Sequence, residues 1–101
     1  MDLSKLAGNL GFDVESVRGL LSRFVEVTGK DLLELERTLA AGDGKAASRI
    51  AHHIKGAAAG LELDDITRAA AAVEAGAGTP AALASEAARI RTALAAIRAA
   101  L

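Results

Sequence analysis

The chain has 101 residues, a formal net charge of −1, 51% hydrophobic and 25% charged residues, and no cysteine. That describes one soluble domain with a modest core. It excludes disulfide frameworks and thiolate zinc sites, and two phenylalanines without a basic patch leave no platform for nucleic acid. No run approaches the roughly 20 apolar residues of a membrane span, and the N-terminus lacks the basic segment and long apolar run of a signal peptide, so a cytoplasmic protein is expected.

Abundant alanine, a single proline and few β-branched clusters predict an all-α chain with closely approaching helices. The fold expected is an up-and-down antiparallel four-helix bundle with a short additional N-terminal helical segment, one domain over 1–101 with 1–12 as the leading segment. Asp2 to Gly8 reads as a short helical turn that Gly8-Asn9-Leu10-Gly11 breaks. Asp13 is placed to cap the first long helix, with Val14, Val17, Leu21 and Phe24 inward and Leu20 and Val27 widening the stripe. Thr28-Gly29 reads as a break, Thr28 capping a second helix along Leu32, Leu35 and Leu39, with one long bent helix as the alternative. Ala41-Gly42-Asp43-Gly44 is a tight turn, and Asp43 caps a helix over about 43–60. Asp64 is expected to cap the next helix, with Ile66, Ala69, Ala70 and Val73 inward. The Ala69 to Ala72 run reads as small residues that permit close helix approach. After the Ala75-Gly76-Ala77-Gly78 loop, Thr79-Pro80 opens the last helix as N-cap and first helical residue. Leu83, Ala87, Ile90, Leu94, Ile97 and Leu101 form its seam, and Arg89, Arg91 and Arg98 read as a solvated face.

Chemistry concentrates in Ala51-His52-His53-Ile54-Lys55-Gly56-Ala57. At about 100° per residue, Ala47, Ile50, Ile54, Ala57, Ala58 and Leu61 share a stripe that must be buried. His52 then stands opposite its centre and His53 at its edge, as a boundary histidine packed against neighbouring helices. Ser48, Arg49, Lys55 and Gly56 surround His52 at helical spacing, with Ala59 a turn further on. The exposed face thus carries one imidazole, an adjacent cation and small side chains, which suits a docking surface around a nucleophile. A neutral imidazole is a good nitrogen nucleophile near pH 7. Lys55 is placed to neutralise a phosphoryl group reaching the ring. Gly56 costs helix stability, and its place on the outer face points to close approach of another protein rather than a helix crossing within the bundle. Adjacent helical histidines diverge by about 100° and cannot share one metal ion. Ser48 has no oxyanion-hole element or third orienting group beside it, so triad catalysis lacks support. An incidental surface histidine on a structural interaction bundle is the plain alternative.

At these residues the chain resembles the histidine-containing phosphotransfer (HPt) family, whose signature helix carries Ala-His-x-Leu-Lys-Gly-Ser/Ala. The likeness takes in the Ala40-Ala41-Gly42-Asp43 turn, Leu61, and Val73-Glu74 followed by Gly76, and it runs from about Phe12 to Leu101. The resemblance implies that His52 is the phosphorylated residue, with Lys55 assisting and Ser48, Arg49, Gly56 and Ala59 forming the receiver-docking face. It implies a phosphocarrier without a kinase domain or cofactor of its own, the Mg²⁺ being brought by the partner receiver. The implied partners are response-regulator receivers and a sensor histidine kinase, with no nucleic acid or membrane, and a monomer is expected. The alternative form is the phosphoacceptor domain of a chemotaxis-type kinase, although Met1 and the clean end at Leu101 favour a free-standing protein. In one place the sequence departs: the family often has glycine ten residues after its histidine, and here Glu62 stands there. With Gly60 two residues earlier, a differently built turn is expected.

Overall fold

The computed structural model describes residues 1–101 and is entirely helical. Its five helices are α1 (Leu3–Leu10), α2 (Val14–Ala40), α3 (Gly44–Gly60), α4 (Asp64–Ala75) and α5 (Pro80–Ala100). Helix α3 lies between α2 and α4, its most extensive partner; α4 packs on α5, and α5 returns to α2, while α1 leans on α2. No helix is long and apolar enough to cross a membrane.

The starts follow from side-chain caps. Asp2, Asp13, Asp43 and Thr79 each accept a hydrogen bond from the backbone N–H three residues on, satisfying donors that the first turn leaves unpaired. The α4 start differs from expectation: Leu63 holds the N-cap position with no side-chain bond, and Asp64 and Asp65 occupy the first turn. Leu63 is buried, and its backbone N–H also closes the end of α3 on the Ala58 carbonyl. The two aspartates then act on the positive end of the helix dipole rather than as caps.

The expected break at Thr28-Gly29 is absent, and α2 runs unbroken for 27 residues along a molecule 42 Å long. Phe24, Thr28, Leu32 and Leu35 are all buried, so the inward stripe passes through the site without changing phase. A mid-helix glycine costs about 1 kcal/mol relative to alanine, an amount that the burial of this stripe outweighs. Gly29 has a local use: a β-carbon there would come within 3.0 Å of the Arg98 guanidinium, which lies across α2 at that point. Arg91 likewise reaches α2, where it pairs with Glu36. Two of the three arginines read as a merely solvated face therefore bridge α5 to α2, because their long side chains span the groove while their charge stays wet. Leu20 and Val27 are exposed and Val25 is buried in their place, so the α2 stripe is turned slightly from the one expected. The leading segment is a full helix to Leu10 rather than a broken turn, since Leu6 and Ala7 reach the core and outweigh Gly8 and Asn9.

Three helices end alike. In α1, α2 and α3 a six-residue backbone bond (Phe12 to Ala7, Asp43 to Thr38, Leu63 to Ala58) encloses a four-residue one (Gly11 to Gly8, Gly42 to Leu39, Glu62 to Ala59), the pattern that requires a left-handed residue just past the helix. Glycine supplies it twice, as Gly11 and Gly42 with φ of 75° and 72°, and Glu62 supplies it the third time with φ of 56°. The turn after α3 is therefore built in the usual way around Glu62, which corrects the expectation that it is built differently.

Candidate functional site

The site lies on α3 where α4 runs beside it. Ala47, Ala51, Ile54 and Ala58 are the buried residues of α3, with Ala51 at 0% exposure, whereas Ile50 is half-buried and Ala57 exposed. The buried stripe is thus rotated toward Ala51. A ranking by hydrophobicity selects Ile50, but alanine is what lets the neighbouring helices close on α3. On this phase His52 and His53 stand about 130° to either side of the stripe's centre. Both are exposed, with 68% and 82% of their side chains accessible. His53 is therefore not packed at a helix boundary, as the spacing suggested. It reaches over the α2 side, where its Nδ1 lies 3.8 Å from Asp31, beyond hydrogen-bond distance.

His52 reaches over the α4 side and meets Glu74. Its Nδ1 is 2.6 Å from Glu74 Oε2, and Lys55 Nζ is 2.5 Å from Oε1 of the same carboxylate. Lys55 bonding holds the Glu74 carboxyl below the ordinary glutamate range; partial burial opposes this, and the His52 contact adds to it. Glu74 is therefore ionised near neutrality and can only accept, so His52 Nδ1 is the donor of their bond. That bond fixes the tautomer. The lone pair is left on Nε2, on the far side of the ring from Glu74.

The other expected site residues fall around this pair. Ser48 lies one turn before His52, half-buried, and its hydroxyl donates to the Glu74 main-chain carbonyl at 2.8 Å. Arg49, Gly56 and Ala59 are exposed. A β-carbon on Gly56 would meet nothing within 4 Å, so no contact inside the bundle requires glycine there. No group of three or more histidine or acidic side chains is arranged to hold a metal ion.

Sequence reasoning noticed Glu74 only as part of a matching segment and gave it no role. The available signal was a carboxylate one residue after the buried Val73, near the end of the helix that follows the histidines. Helical spacing within α3 could not reveal it, because the contact joins residues 22 positions apart.

The family model described as Hpt domain matches residues 19–100. No curated protein and no solved structure gives a significant match. With an exposed, oriented imidazole on the third helix of an all-helical fold and the model covering most of the chain, this protein belongs to the Hpt domain family.

Proposed function

We propose that the protein is a histidine phosphocarrier of a two-component phosphorelay. In this reading His52 accepts a phosphoryl group from a receiver's aspartyl phosphate and passes it to another receiver. The Hpt family carries out histidine phosphotransfer in phosphorelays, as carriers rather than kinases. The observation that carries the assignment to His52 is its 2.6 Å contact with Glu74, against the 3.8 Å separation of His53 from Asp31.

The chemistry follows from that bond. Nε2 attacks phosphorus, a P–N bond forms, and the P–O bond to the receiver's aspartate breaks, releasing its carboxylate. The ring keeps its Nδ1 proton and gains positive charge, which Glu74 faces directly. Fixed charge aimed at developing charge lowers the barrier without reorganisation. Lys55, held beside the ring by the other Glu74 oxygen, offers its remaining N–H donors to the phosphoryl oxygens. Catalysis of this kind rests on positioning and electrostatics, so a rigid helix presenting a nucleophile suffices while the receiver contributes its own Mg²⁺.

Arg49, Gly56 and Ala59, with Ser48 at the margin, form the face on which a receiver docks, and the absence of side chain at Gly56 leaves the approach open. An up-and-down antiparallel four-helix arrangement of α2 to α5 supports this presentation. Its support is the short connections and the descending pairings of α5 with α2, Arg98 over Gly29 and Arg91 with Glu36. A cytoplasmic monomer without a kinase domain of its own, served by a sensor kinase and receivers, completes the reading.

The test is phosphoryl transfer from a panel of phosphorylated receivers to the wild type, His52→Gln and His53→Gln, followed as acid-labile phosphate. Loss confined to His52→Gln is expected. Loss confined to His53→Gln overturns the assignment. Transfer from a kinase core and from no receiver favours the kinase-domain alternative instead.

A further inference from the structure

Ser48, His52 and Lys55 occupy positions i, i+4 and i+7 of α3, and all three hold the same residue of α4. Ser48 takes the Glu74 backbone carbonyl, His52 takes Oε2 and Lys55 takes Oε1. We propose that Ser48 is a positioning residue for phosphotransfer, fixing the last turn of α4 so that the Glu74 carboxylate stays on His52. This rests on the reading of His52 as the phosphoacceptor.

The need for such a hold is local. Glu74 is the penultimate residue of a 12-residue helix, and the following Gly76 and Gly78 both have positive φ. The last four carbonyls of a helix have no partner within it, and terminal turns open most readily. The Gly76 N–H closes on the Val73 carbonyl, which leaves the Glu74 carbonyl for a partner outside α4. Ser48 is that partner, and being half-buried its bond is partly shielded from competing water.

Side-chain contacts cannot substitute for it. His52 is mostly exposed, and Lys55 is a flexible cation that can follow the carboxylate if α4 shifts. With the backbone free, Glu74 keeps its ion pair with Lys55 and loses its directional bond to the ring. The hydroxyl of Ser48 thus acts on the imidazole through the α4 backbone, without touching the reacting atoms.

Two readouts test this on the intact protein. The first is the tautomer of the free His52 ring, read from its ¹⁵N chemical shifts; the second is the transfer rate from a phosphorylated receiver. Ser48→Ala is expected to lower the share of Nδ1–H tautomer and to slow transfer by about 3- to 10-fold, the scale of one net hydrogen bond. Ser48→Thr, which retains the hydroxyl, is expected to restore both. In a Glu74→Ala background, adding Ser48→Ala is expected to leave the ring spectrum unchanged. An unchanged ring spectrum in Ser48→Ala, or an equal change of that spectrum in the Glu74→Ala background, overturns the proposal. The ring measurement needs no receiver, so failure of the phosphocarrier reading and failure of the positioning role are separately visible.

Discussion

Glu74 and His52, 22 residues apart in sequence, meet through a 2.6 Å bond between a carboxylate and an imidazole Nδ1. The bond ties the chemistry of α3 to the placement of α4. Glu74→Ala is expected to slow phosphoryl transfer to His52 by about tenfold or more, since hydrogen bonds to charged groups contribute more than neutral ones. Single-turnover transfer from a phosphorylated receiver measures this. An unchanged rate would show that the carboxylate is only structural.

The same carboxylate makes stability depend on acid. Its folded-state pKa lies below the ordinary range because of Lys55 first and His52 second. A carboxyl lowered on folding stabilises the native state above its unfolded pKa and loses that contribution as pH falls through the folded one. The difference in melting temperature between wild type and Glu74→Ala is thus expected to shrink below about pH 4, near the unfolded value and under it. Thermal denaturation across that range decides it, and a difference that grows below about pH 4 contradicts the assignment.

Glu62 occupies a left-handed position that three other helix ends in this chain give to glycine, as Gly11, Gly42 and Gly76. An L-residue pays about 1–2 kcal/mol there, and glycine's greater unfolded-state freedom offsets part of that gain. Glu62→Gly is expected to stabilise the fold by about 0.5–1 kcal/mol, as judged by urea denaturation. Destabilisation would mean that the Glu62 side chain has a native role.

Gly56 separates folding from function. Because a β-carbon there meets nothing, Gly56→Ala is expected to raise stability by up to about 1 kcal/mol through helix propensity alone. A bulky change such as Gly56→Gln should leave the fold intact yet raise the receiver concentration needed for half-maximal transfer. Equal transfer by all three proteins would remove Gly56 from the docking face.

The legibility of this chain in its sequence followed the range of the interactions. Capping at Asp13, Asp43 and Thr79 was readable because cap and helix are neighbours in sequence. The motif around His52 was readable for the same reason, and the α5 seam was correct at its core residues, Ala87 through Ile97. Errors arose where distant contacts decide. Thr28-Gly29 looks like a break until α5 lays Arg98 across it, and Leu63 replaces Asp64 as cap because its side chain is wanted in the core. Ala51 looked less inward than Ile50 because close helix approach favours small size over hydrophobicity. Helical phase alone does not separate His52 from His53, since neither ring lies at a packed edge and both are exposed; they differ in what stands opposite, Glu74 for one and Asp31 for the other.

The near-symmetric placement of the two histidines on α3 has a consequence for moving this motif elsewhere. The helix itself treats the imidazoles almost alike, and their difference is imposed by what stands opposite, Glu74 on one flank and Asp31 on the other. A transplant of Ala51 to Ala57 into an unrelated bundle would carry two accessible rings and no preference between them. To transfer the preference as well, a recipient must import the far end of a second helix at the correct height.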